Sequence, residues 1–157
     1  MSSSFQLVGI DHTPFEALFD LSDEHLKRFD AVRCKAKESP GYPCRISLED
    51  AQVGEELLLL TFTHQPASSP YRASGPIFVR RGARQRTLAV GEVPEYITRR
   101  LISVRAYDGD HMIVDAGVCE GSAAGNEISR LFRKSEVAYI HLHNAKRGCF
   151  SCVAIRA

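Results

Sequence analysis

A chain of 157 residues, 44% apolar and 25% charged, has the make-up of an ordinary globular protein; this excludes disorder and fibrous repeats, and the length fits one domain over 1–157. A net charge of +1 offers no global attraction to nucleic acid or anionic lipid, and no apolar run approaches the roughly 20 residues needed to span a bilayer. Five scattered cysteines, an odd number, and an N-terminus lacking a basic flank and apolar stretch point to a reducing, cytoplasmic setting.

Phe5 to Ile10 reads as an opening strand, followed by the loop Asp11-His-Thr-Pro14. Ser22 ahead of Asp23 and Glu24, with Leu21, Leu26 and Phe29 at near-helical spacing, predicts a capped helix of about two turns ending near Asp30. Val32, Cys34 and Ala36 alternate with Arg33, Lys35 and Lys37, the period of a strand with one face in water. Ser39-Pro-Gly-Tyr-Pro43 is a rigid turn that delivers Cys44-Arg45-Ile46 in extended form. Leu57 to Phe62 is the most apolar run and suits a central strand buried on both faces; His64 to Pro76, with three prolines and three serines, reads as a long loop before the strand Ile77 to Arg80.

Pro94 suits the first turn of a helix running to about Leu101. Ile102 to Tyr107 and Met112 to Val118 read as strands joined at Asp108-Gly109-Asp110, where Asp-Gly suits positive φ. Ser122 to Phe132 carries Ile128, Leu131 and Phe132 on one helical face, and Val137 to His143 with Cys149 to Arg156 form a closing hairpin across Asn144-Ala-Lys-Arg-Gly148. The expected fold is therefore α+β: a mainly antiparallel sheet, about three short helices, and hairpins at 102–118 and 137–156.

The closing hairpin holds the densest group of reactive side chains: His141, His143, Asn144, Cys149 and Cys152. Their spacing, His-x-His-x5-Cys-x-x-Cys, invites a metal reading of 141–152, but in strands residues i and i+2 share a face whereas i and i+3 do not, so the cysteines diverge. If His143 faces Cys149, then Leu142 faces Phe150 and Ile140 faces Cys152, giving an apolar face with Cys152 in the core. Tyr139, His141, His143, Cys149 and Ser151 then form an opposing polar surface, and a slip of one residue would undo the partition. Cys149 is a candidate nucleophile, with His143 or Arg147 to raise its thiolate fraction; the competing reading is an inert, half-exposed thiol.

Charge is uneven along the chain: residues 1–56 hold eleven acids against six bases, while Leu57 to Gly91 has no acid but carries Arg72, Arg80, Arg81, Arg84 and Arg86. Arginine forks suit carboxylate or phosphate, so an anion site is one reading; the other is that the acidic N-terminal third folds against this segment and neutralises it. No phosphate loop, dinucleotide fingerprint, His-Glu-x-x-His helix or Gly-x-Ser-x-Gly elbow occurs, so no cofactor is expected.

On the words Gly41-Tyr-Pro-Cys-Arg45, Ser69-Pro-Tyr-Arg72, Gly75-Pro-Ile-Phe78 and Gly148-Cys149, the chain resembles a bacterial family of small single-domain proteins known as domain of unknown function 1203. The resemblance implies a bacterial protein made of this domain alone and supplies no activity. Its words fall at loops and strand ends, where sites are built on rigid sheets. The leading reading is a pocket for an anionic small molecule, lined by Arg45, Tyr71, Arg72, His143, Asn144, Arg147 and Cys149, and in an enzymatic variant using Cys149 or Cys44 as nucleophile with a histidine as base. The rivals are a protein interaction module or homodimer formed through a sheet edge, and metal binding by the 141–152 hairpin.

Overall fold

The computed structural model describes residues 3–157. In chain order its strands are β1 (Phe5–Val8), β2 (Ala31–Lys35), β3 (Pro43–Cys44), β4 (Glu49–Asp50), β5 (Glu56–Gln65), β6 (Ala73–Arg80), β7 (Leu101–Tyr107), β8 (Ile113–Glu120), β9 (Tyr139–Asn144) and β10 (Phe150–Arg156). The helices are α1 (Thr13–Glu16), α2 (Asp23–Leu26), α3 (Glu95–Thr98) and α4 (Ala124–Phe132); α1, α2 and α4 are each extended by a 3-10 turn. This is an α+β fold, but the strands divide into two five-stranded sheets: a terminal sheet ordered β1-β10-β9-β7-β8 and a middle sheet ordered β2-β5-β6-β3-β4. All pairings named within them are antiparallel except β3 with β6. No helix among the described residues is long and apolar enough to cross a membrane.

Two apolar layers follow from the strand alternation. One face of the terminal sheet sets Ile102, Val104, Ile140 and Leu142 against Ile128, Leu131 and Phe132 of α4, and Cys152 joins them in the core, as its place in the closing hairpin predicts. The middle sheet turns Leu58, Leu60, Ile77 and Val79 toward Phe15, Phe19 and Leu26, and Phe150 of the terminal sheet completes that layer. On the reverse face of β5, Leu57 packs with Ala36 and Ala51, so the strand is buried on both sides at its start but not at Leu59, which is 36% exposed. Gly121 lets the start of α4 press on the end of α3, since a Cβ there would run into the carbonyls of Ile97 and Arg100.

Both expected hairpins form, and Ser22 caps α2 by accepting the His25 N–H at 3.2 Å. Several expectations are corrected. Of the expected loop 11–14, Thr13 and Pro14 are helical, with Pro14 in the first turn of α1, and a 3-10 turn continues it to Asp20. Strand β2 keeps Cys34 and Ala36 on the side that packs with Leu57, as its alternation predicts, but Val32 on that side is 61% exposed, Ala31 is buried in the opposite layer and Arg33 reaches the Phe19 carbonyl and Glu56. The long loop shrinks to 66–72 because β5 runs to Gln65 and β6 starts at Ala73. Pro76 is tolerated inside β6 because the neighbour on its far side, β3, is only two residues long and meets β6 at Phe78, so the proline's missing N–H costs no ladder bond there. At the Asp108 turn the positive φ falls on His111 (φ 62), not Gly109, while the Asp108 carboxylate accepts the N–H groups of Asp110 and Met112.

The closing hairpin departs from its expected register. Phe150 pairs with His143, and after a bulge at Ser151 Cys152 pairs with Leu142 and Val153 with His141. The bulge keeps Cys152 in the α4 layer but turns Phe150 onto the histidine face. That face is not a polar surface: His141 and His143 are 4% and 1% exposed, covered by the middle sheet.

Candidate functional site

The rigid turn before β3 carries Arg45 into the gap between the sheets. Its side chain is 3% exposed; Nε donates to the Phe150 carbonyl at 2.8 Å and Nη1 to the Pro43 carbonyl at 2.7 Å, so one guanidinium ties the two sheets together. Among the described residues it forms an ion pair with no carboxylate, and Nη2 takes no protein partner. A buried charge left without a counter-charge costs several kcal/mol, and among the described residues no carboxylate offsets this one.

A cavity of about 1000 Å³ opens at this guanidinium. The terminal sheet and its last turn supply Asn144, Lys146, Arg147 and Cys149; the middle sheet supplies Leu59, Pro76 and Phe78, with Tyr42 beside them. Gly148 holds the last turn with a φ of 79, and the Asn144 N–H donates to the Cys149 carbonyl at 2.8 Å. Lys146 and Arg147, like Arg45, pair with no acid among the described residues. Arg99 and Arg100 also border the cavity, but Asp50 and Glu95 neutralise them: Arg99 lies 3.2 Å from Asp50 and 2.6 Å from Glu95, and Arg100 grips Asp50 with two nitrogens. Glu38 and Glu120 complete the border. The Asn144 Oδ1 is buried without a partner.

Behind the cavity three histidines pack around Phe150. The His64 ring stacks on Phe150 at 5.3 Å, and the His141 and His143 rings meet it edge-on at 5.3 and 5.8 Å. His143 Nδ1 lies 2.9 Å from the Gly148 carbonyl, which can only accept, so Nδ1 carries the proton and Nε2 is left to accept from Arg105 at 3.4 Å. Burial, reinforced by Arg105 and the neighbouring rings, pushes His141 down to about 3; burial pushes His143 down to about 4 against the opposing Gly148 bond. Burial and then Arg105 lower His64 as well. The seam is neutral imidazole beside uncompensated guanidinium.

Of the residues singled out from sequence, Arg45, Asn144, Arg147 and Cys149 share the cavity. His143 lies behind it with both ring nitrogens engaged, and Cys149 sets its thiol toward the Arg147 carbonyl at 4.0 Å. Cys44 is fully buried, its sulfur accepting the Arg80 N–H at 3.3 Å. Tyr71 and Arg72 sit apart, on the β5–β6 loop: Tyr71 meets Tyr107 edge-on at 6.2 Å and Arg72 donates to the Pro66 carbonyl at 3.1 Å. Cys149 and Cys152 diverge across the bulge, and among the described residues no set of three His, Cys, Asp or Glu side chains converges to hold a metal ion. Arg105, His64, Leu59 and Phe78 went unread as site residues; only the Arg99-Arg100 pair left a local signal, and it marks the pair that Asp50 neutralises.

A family model described as Protein of unknown function (DUF1203) matches residues 41–156. No curated protein and no solved structure matches the chain.

Proposed function

We propose, for a chain that belongs to the family described as Protein of unknown function (DUF1203), that it binds an anionic small molecule in the cavity bordered by Arg45, the reverse face of the middle sheet and the last turn of the terminal sheet. What carries the reading is Arg45: a buried guanidinium, held by two main-chain carbonyls, with no carboxylate to answer its charge. Lys146 and Arg147 stand at the same cavity and pair with no acid among the described residues, so an anion there meets three cations. Binding is favoured over thiol catalysis because both nitrogens of His143 are engaged within the fold, leaving no lone pair for the Cys149 proton.

The test is thermal unfolding with increasing citrate or phosphate at constant ionic strength. A ligand at about 100 times its Kd stabilises the native state by about 2.7 kcal/mol, which appears as a rise of several degrees in Tm. The Lys146→Glu, Arg147→Glu double variant, in an exposed turn, is expected to unfold at the unliganded Tm of the parent and to lose the rise. An unchanged rise in that variant, or stabilisation by neutral polyols to the same extent, counts against the reading.

A further inference from the structure

The cavity is far larger than an inorganic ion requires, and half of its wall is apolar. Leu59 is 36% exposed on a strand whose other leucines, Leu57, Leu58 and Leu60, are buried, and its neighbours in register are Val32 on β2 and Phe78 on β6. Tyr42 packs its ring on Phe78 at 5.3 Å and 55°, so Val32, Leu59, Phe78 and Tyr42 form one continuous apolar row leading into the cavity. Single exposed leucines are ordinary on protein surfaces, but an in-register row across three strands, whose Leu59 and Phe78 line the same cavity as an uncompensated guanidinium, is not.

We infer that the ligand is an organic anion of low charge with an apolar, ring-sized body, its carboxylate or phosphate-ester head on Arg45 and its body on Leu59 and Phe78. This rests on the anion reading and adds the ligand's second half. A volume of about 1000 Å³ lies at the upper end of small-molecule sites, which hold an organic ligand and bury most of its surface. Glu38 and Glu120 on the same border repel a polyanion, so a head with one or two charges fits and a polyphosphate does not. The two halves have separate roles: the guanidinium fixes the head, and removal of apolar surface from water on both partners supplies the selectivity for the body.

The test is calorimetric titration of the intact protein with 4-phenylbutyrate, phenyl phosphate, acetate, inorganic phosphate and benzyl alcohol, repeated on Leu59→Ser, a surface substitution that leaves the core intact. The phenyl anions are expected to bind about ten-fold or more tightly than acetate or phosphate, and Leu59→Ser to erase that ratio while leaving the weak binding of acetate and phosphate as it was. The tighter of the two phenyl anions identifies the head group. Acetate or phosphate binding as tightly as the phenyl anions, or an undiminished ratio in Leu59→Ser, overturns the inference while the anion site stands. Benzyl alcohol binding as tightly as phenylbutyrate, or no anion binding at all, removes the anion reading and the inference together.

Discussion

The arginines of 80–86 and the cations around Arg45 show two ways in which a chain places positive charge. In the first, every arginine has an acid: Arg80 lies 3.5 Å from Glu55, Arg81 3.1 Å from Asp20 and 2.9 Å from Glu56, Arg84 3.6 Å from Glu16 and Arg86 3.4 Å from Glu92. In the second, Arg45, Lys146 and Arg147 converge from positions about 100 residues apart and meet no acid that pairs with them. The arginine cluster of 80–86 that draws the eye in the sequence is thus the neutralised one. Local charge density measures what the chain carries; the balance of charge in space decides whether a guanidinium serves stability or awaits a ligand.

The largest expected effect separates the two regions by pH. Burial pushes His141 and His143 down to about 3 and about 4 in the native state, against 6.5 when unfolded, so between these values the unfolded chain binds more protons and stability falls as pH falls. Bonds from Arg81 and Arg33 hold Glu56 below its ordinary 4.5, so its contribution persists until the pH is lower still. Loss on the order of 5 kcal/mol by about pH 4 is expected to come from the histidine seam, read as urea midpoints across pH. A His141→Leu variant should flatten that slope; an unaltered slope would place the protons elsewhere.

Arg45→Met comes next. It leaves the Phe150 and Pro43 carbonyls without donors and should destabilise by about 2 kcal/mol, less than the loss of a compensated buried pair because its own charge is unanswered. It should also abolish the rise of Tm with anions. Glu56→Gln, which removes the shared partner of Arg33 and Arg81, should cost about 1 kcal/mol and leave anion binding untouched. The smallest effect is expected from Arg84→Ala, whose side chain is 77% exposed: no change in Tm and none in binding. Were Arg84→Ala to weaken the anion response as Arg45→Met does, the contrast between the regions would collapse.

Local pattern made much of the fold legible. Alternation and turn chemistry identified both hairpins, the Ser22 cap and the inward-facing Cys152, because each depends on neighbours in the chain. What the pattern hid depends on pairing partners remote in sequence. Pro76 reads as a loop residue until β3 is known to be too short to need its N–H, and a bulge at Ser151 moved Phe150 across the sheet where alternation alone placed it with Leu142. The candidate site was half legible. Arg45, Asn144, Arg147 and Cys149 stand out by chemistry and turn position, whereas Leu59 and Phe78 look like core residues of two strands, and only the sheet order and register reveal that Tyr42, Ala36 and Ala51 cover their face in part and leave Leu59 open. Tyr71 and Arg72 carry equally promising chemistry at a loop tip, and the β5–β6 strands carry them to the far end against Tyr107.

Arg45 donates to a carbonyl of each sheet, and this gives the molecule a built-in report of occupancy. Any partial opening that parts the sheets must first break the bond to the Phe150 carbonyl, so an anion that immobilises the guanidinium raises the free energy of that opening. Amide hydrogen exchange in the 144–150 turn should therefore slow when the cavity fills, whereas amides in the α4 layer, which exchange only through wider unfolding, gain less. A backbone measurement remote from the ligand would then follow its binding without a label or an assay of turnover.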